Sequence, residues 1–182
     1  TTSVTVTVSV KDYTAPEFTQ NDTIYYLDGD STTVYSDYIT ASDNYDGDLT
    51  STVVFDDTGL DLNTVGVYNI TMTVVDSSGN EKEETLVLIV PSQASVSNVH
   101  ADIAETILPT TPIQTNLFLP SEGSNGSTIT WDSLNDMNLT DAGKILPPGI
   151  GEENKAVTMV ATYTFENYVK VVEYDLLVAP TP

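Results

Sequence analysis

The stretch "SDNYDGDLT" places three aspartates, Asp43, Asp46 and Asp48, close together in one short loop. Calcium takes about six to eight oxygen ligands, several of them carboxylates offered by a flexible loop. Asp46-Gly47-Asp48 presents two carboxylates on a tight turn, and Asp43 adds a third. The spacing is not that of an EF-hand. The competing reading is that each Asp closes a turn through hydrogen bonds to nearby amides. A second acidic stretch, Asp28-Gly29-Asp30, reads as a turn alone.

Other chemistry is sparse. There is no cysteine, which excludes disulfides, thiolate nucleophiles and thiolate metal sites. The sole histidine, His100, falls on an expected strand with no nucleophile motif or ligand partner nearby in sequence. There is no arginine to clamp a phosphate or carboxylate. No Gly-rich phosphate loop or G-x-S-x-G elbow is present. Among 27 acidic residues some pair falls at glycosidase separation by chance, and nothing marks one pair out. The sequence is therefore read as non-enzymatic.

The charge balance narrows the partners. Against those 27 acidic residues stand five basic ones, all Lys, for a formal net charge of -22. Such a surface repels nucleic acid and recruits divalent cations. No apolar run is long enough to insert into a membrane. No signal peptide is visible, and the N-terminus reads as cut from something longer. Glycan is a candidate ligand because ten Tyr are present, some close together: Tyr25 with Tyr26, Tyr35 with Tyr38. Neighbouring strand residues face opposite ways, so one of Tyr25 and Tyr26 is expected outside. The plainer account is the β-propensity of Tyr. Asn21, Asn69, Asn125 and Asn138 stand in N-x-Ser/Thr sequons, which matter only in a glycosylating host.

The elements that must position these residues are strands. Short runs rich in Val, Ile, Thr and Tyr alternate with Asp, Asn, Gly and Ser, and helix signals are nearly absent. "VYNITMTVVD" and "KEETLVLIV" read as a hairpin across "SSGN". "AVTMVATYTF" and "VKVVEYDLLV" read as another across "ENY". "APEFT", "TIYYL", "TVYSDYIT", "STVVFDD", "VSNVHADIAETI", "IQTNLFL" and "STITWDS" are further expected strands. The pattern lapses at "PSQAS" into a linker. This is an all-β chain of two small sandwiches.

Residues 12–90 resemble a bacterial Ig-like family found in tandem in secreted and surface proteins and in some pesticidal crystal toxins. "DYTAP", "ASDNYDGDLT" and "TVGVYNITMTVVDSSGN" carry that likeness. Residues 98–179 are similar to a second bacterial Ig-like module, common beside extracellular carbohydrate-active enzymes. "ILPTT", "ITWDS", "AGKILPP" and "VTMVATYTF" carry this one. The resemblance implies two Ig-like β-sandwiches in series: residues 12–91, a linker at 92–97, and residues 98–180. It implies extracellular or cell-surface spacer modules of a bacterial or archaeal protein, such as a stalk, adhesin, surface layer or filament. Direct recognition of a glycan or host protein is the alternative. Tyr68, after Gly66-Val67, is similar to a tyrosine corner. Trp131, the only Trp, is expected between the sheets of the second sandwich. Ig strand parity would gather Asp12, Asp43, Asp46, Asp48 and Asp76 at one pole, and calcium is the expected cofactor there.

Residues 1–11 carry Val4, Val6, Val8 and Val10 in strict alternation, a strand with one face buried. Three readings stay open. The strand is the end of a preceding module, a strand donated to an identical subunit, or an edge strand of this chain's own sandwich. The join to "KDYTAP" favours the first.

Overall fold

Ile70, Met72 and Val74 are buried while their sequence neighbours are more exposed, and Leu86, Leu88 and Val90 answer them on the next strand. Period-2 burial of this kind fixes the register of a hairpin, because a one-residue slip would turn every apolar side chain outward. That hairpin is the centre of the first of two units, Thr1–Val90 and Pro91–Pro182, in a computed structural model. The structure describes residues 3–4, 11–20, 23–27 and 35–181. Of the opening strand, Val4 is exposed, and Val6, Val8 and Val10 lie outside the described residues, as does the Asp28–Asp30 turn.

The first unit has strands β1 (Glu17–Gln20), β2 (Ile24–Tyr25), β3 (Ile39–Asp43), β4 (Gly47–Asp48), β5 (Val54–Asp56), β6 (Gly66–Val75) and β7 (Glu81–Val90). One sheet runs β1-β3-β4 and the other β2-β7-β6-β5. All pairings are antiparallel except β2 with β7, which is parallel. Ile39 and Phe18 of the first sheet pack with Ile24, Ile70, Met72, Leu86 and Leu88 of the second. "TVYSDYIT" is a 3-10 turn at Tyr35–Tyr38 followed by β3, not one strand.

Tyr68 continues the inward row of β6 and packs against that core. Its hydroxyl donates to the Thr64 carbonyl at 2.8 Å, which pins the crossing segment to the start of β6. This is the geometry of a tyrosine corner.

The second unit has helix α1 (Gln93–Glu105) and strands β8 (Thr128–Ser133), β9 (Lys155–Phe165) and β10 (Tyr168–Val178). Its sheet runs β10-β9-β8, antiparallel throughout. Two expectations are corrected here. "VSNVHADIAETI" is helix rather than strand, and α1 begins inside the stretch read as linker. "IQTNLFL" contributes one isolated bridge, Ile113 to Val178, rather than a strand. Ser92 caps α1, its hydroxyl accepting from the Ser95 amide at 3.0 Å. The face of α1 that turns inward is Ser95, Val99 and Asp102.

Trp131 is half-buried, not enclosed between two sheets. It lies on β8 against the core of Ile113, Leu139, Val157, Met159, Leu176 and Val178. The opposing layer is irregular chain carrying Leu108, Leu117, Leu119 and Ile145, so no second named sheet covers its ring. Its indole N–H donates to the Pro120 carbonyl at 2.8 Å.

Asp102 is 1% exposed. Its carboxylate accepts from the Asn125 amide at 2.7 Å, the Asn125 side chain at 2.9 Å and the Ser127 amide at 3.0 Å. This ties α1 to the loop before β8. A Cβ on Gly123 would stand 2.1 Å from the Asp102 Cγ, so the loop can approach this closely only with glycine there. Burial pushes the Asp102 carboxyl up, but the bonds from Ser127 and Asn125 prevail and hold it below the ordinary range.

Two outcomes follow from these ties. Tyr68→Phe should destabilise the first module by about 1 kcal/mol, the net value of one such hydrogen bond, measured by denaturant unfolding. Asp102→Asn should destabilise the second by about 2 kcal/mol, because its amide puts a donor against the donors of Ser127 or Asn125. The folded-state shift of Asp102 is downward. Its contribution is therefore present above roughly pH 4 and is lost as pH falls from there through the folded value. Fluorescence of Trp131 reads unfolding of the second module, and Asp102→Asn should flatten that acid limb.

Candidate metal centre

Asp43 ends β3, and its Oδ1 accepts from the amides of Tyr45 and Asp46 at 2.7 and 3.0 Å. That Asx turn folds the acidic loop back on itself. Asp76 directly follows β6 and organises the hairpin turn to β7. Its Oδ1 accepts from the amides of Ser78 and Asn80, at 2.9 and 2.8 Å, and its Oδ2 from the Asn80 side chain at 2.6 Å. Gly79 supplies the positive φ, 86°, that the turn requires. Asp12 lies in the lead-in to β1, its Oδ1 accepting from the Thr14 amide at 3.0 Å.

These three carboxylates converge. One oxygen each from Asp12, Asp43 and Asp76 lie within 4.8 Å of one another. Asp43 is 8% and Asp76 7% exposed, and Asp12 is half-buried. The Oδ2 atoms of Asp12 and Asp43 are buried and receive no hydrogen bond. Lys11, the next residue to Asp12, holds its ammonium 5.1 Å from the Tyr13 ring centroid, and Lys82 pairs with Glu84 at 3.1 Å. Burial pushes the Asp76 carboxyl up, yet the hydrogen bonds from Asn80, Ser78 and Gly79 outweigh it and hold it below the usual range. It is an anion here.

The other two expected ligands do different work. Both oxygens of Asp46 accept from Ser77, from its amide at 2.9 Å and its hydroxyl at 2.7 Å, which ties the acidic loop to the β6–β7 turn. Asp48 is exposed, and its Oδ1 accepts from the Thr50 amide at 2.9 Å. The Thr50 hydroxyl and amide hold its carboxyl below the ordinary value. Asn80 was not anticipated from sequence. Its side chain also donates to the Thr14 carbonyl at 3.0 Å, joining the lead-in to the same turn. A cleft of about 300 Å³ lined by Thr14, Ser42, Asp43 and Asn44 opens on this pole. His100 is exposed on α1, its ring edge toward Tyr168, and has no part in the cluster.

Residues 16–90 match the family of the bacterial surface protein Ig-like domain, and residues 96–181 match the atrophied bacterial Ig domain. The chain is a tandem of two bacterial Ig-like modules. The three converging aspartates span the first Ig-like module and its lead-in, since Asp12 precedes the matched residues. The second Ig-like module keeps a three-stranded sheet, with a helix and irregular chain in place of further named strands. No curated protein matches the chain as a relative.

Among solved structures, the chain is similar to the CBM51-2 (in complex with GlcNAc) and INT domains of Clostridium perfringens ZmpB, at 16% identity and TM-score 0.42 over 84% of this chain. It is also similar to the ZmpB M60 catalytic domain with CBM51-1 and CBM51-2, at 17% identity and TM-score 0.42 over 85% of this chain. It spans 30% and 14% of those two chains. Mouse cadherin-23 EC22-24 is a further likeness, at 12% identity and TM-score 0.31, covering 92% of this chain and 67% of that one.

Proposed function

We infer that the tandem is a non-catalytic structural segment of a bacterial cell-surface protein, spacing or stiffening whatever it joins. The observation that carries this reading is the pair of adjacent Ig-like family matches, the first to a surface-protein domain. The physics agrees with it. Each module is built on one long antiparallel hairpin, β6 with β7 and β9 with β10, whose ladder runs the full length of both strands. Such ladders hold the two strands of each hairpin together along their whole length. Among the described residues no helix is long and apolar enough to cross a membrane.

A second reading, direct ligand binding, is favoured by one feature. Ile107 and Phe118 are each 87% exposed and line a cleft of about 300 Å³ with Glu105 and Glu122. An aromatic face beside carboxylates suits a sugar. Tyr13 and Tyr45 are also exposed, on the lead-in and the acidic loop.

Separate folding of the modules distinguishes a spacer from a single cooperative body. The pieces to express are 11–90 and 91–182, because a cut at residue 96 removes the Ser92 cap of α1. Each should unfold cooperatively, and the full chain pulled in optical tweezers should give two steps of roughly 25–30 nm each, at about 3.5 Å per residue. Failure of both pieces to fold overturns the reading. Binding of the intact chain to a glycan array, lost on Phe118→Ala, replaces it with the ligand-binding one.

Residues 1–10 carry the third reading, donation of a strand to another copy. Their deletion should then abolish self-assembly in analytical ultracentrifugation. A sedimentation coefficient that reports monomer with or without them removes strand donation.

A further inference from the structure

We propose that Asp12, Asp43 and Asp76 bind one calcium ion, which clamps the lead-in segment to the acidic loop and the β6–β7 turn. Three acidic side chains close together do not by themselves make a site. The deciding observation is the state of their oxygens. Asp43 is more than nine-tenths buried, and its Oδ2 receives no hydrogen bond. The Oδ2 of Asp12 is buried without a donor as well. A desolvated carboxylate oxygen with no donor is strongly disfavoured, and two of them beside a third anion are more so. A cation removes that penalty for all three at once.

The ligand chemistry selects the ion. Every donor is a hard oxygen, and no thiol exists in the chain, so zinc and other soft-ligand metals are poorly served. Calcium–oxygen distances of about 2.3–2.6 Å put opposite ligands about 4.6–5.2 Å apart, which suits oxygens lying within 4.8 Å of one another. Magnesium dehydrates reluctantly and keeps several waters, which fits poorly with carboxylates as buried as Asp43 and Asp76. The cleft at Thr14, Ser42 and Asn44 gives the ion a path in and water a place to complete its shell. Three carboxylates in an extracellular module correspond to an affinity of roughly 0.1–1 mM.

The site also has a structural consequence. Asp12, Asp43 and Asp76 come from three separate segments, already cross-tied by Asp46 to Ser77 and by Asn80 to Thr14. The ion closes the triangle that those hydrogen bonds, which bring no positive charge, leave electrostatically open.

The test uses the full chain, stripped with a chelator and returned to calcium or magnesium at matched ionic strength. Calcium at 10 mM should give a measurable binding heat and raise the melting temperature of the first module by about 5 °C or more. Magnesium should give a clearly smaller shift. Asp43→Asn keeps an oxygen for the Tyr45 and Asp46 amides and replaces only the unpartnered one. It should melt no lower than the wild type without calcium, and it should show no calcium response. Asp12→Asn should also lose the response, which covers the case in which the first variant fails to fold. Asp48→Asn should retain it. No heat and an unchanged melt overturn the site. So does a calcium response that survives in Asp43→Asn and Asp12→Asn, or one that disappears in Asp48→Asn. An equal response to magnesium overturns the choice of ion.

Discussion

Asp76 accepts from two amides and a side-chain amide within a single five-residue turn, and the first module is arranged around that anchor. With the turn fixed, Asn80 points its amide at the lead-in backbone and Ser77 offers both its donors to Asp46. The acidic loop and the chain's approach to β1 are thus positioned by polar contacts to one hairpin end. The apolar core fixes the sheets, since Ile70, Met72, Leu86 and Leu88 cannot all face inward in any other register. At the pole the geometry is set by carboxylates, and carboxylates that converge are relieved by donors, by a shared proton or by a cation.

Among the described residues the acidity is handled mostly by local hydrogen bonds, with ion pairs at Lys82–Glu84 and Lys155–Glu152. With five lysines against 27 acidic residues, most carboxylates have no basic partner available. Asp48, Asp56 and Asp61 each turn back on a nearby Thr or Asn and cap their own loops. Those bonds favour the charged form and lower the carboxyl below its ordinary range in all three. Such capped turns need no further ligand. The same logic separates Asp46 from the triad, because both its oxygens already accept from Ser77, and Asp48 stands apart because it is exposed to water, while Asp12 and Asp43 each keep a buried oxygen without a donor.

What the sequence disclosed follows the strength of each physical signal. The hairpins β6–β7 and β9–β10 are legible because alternation runs through ten residues or more with one face buried. Helix α1 was hidden because its inward face is Ser95, Val99 and Asp102, two polar residues around one apolar residue. Hydrophobic periodicity cannot report a helix that packs through hydrogen bonds. The only local signal was Ser92 ahead of the helix, a cap that also reads as a linker serine. The covering layer of the second module escaped for a related reason. Leu108, Ile113, Leu117, Leu119, Leu139 and Ile145 are spaced by turns, not by a strand or helix period. At the pole, sequence and topology expect five aspartates together; three of them converge, and the partition into three converging and two capping residues depends on which amide each turn presents.

The two modules show opposite solutions to a buried carboxylate. Asp102 of the second is sealed in by the Asn125 and Ser127 amides and the Asn125 side chain, so both its oxygens are served by protein donors. Its negative charge is then stabilised by fixed dipoles. The first module cannot do the same. Its three carboxylates arrive from segments far apart in sequence, and the amides at hand are already committed to closing the turns that bring them together. Using turn donors to assemble the pole leaves none for the second oxygens of Asp12 and Asp43. The first module therefore keeps two buried carboxylate oxygens that its own donors do not serve, while both oxygens of Asp102 in the second are served from within the chain.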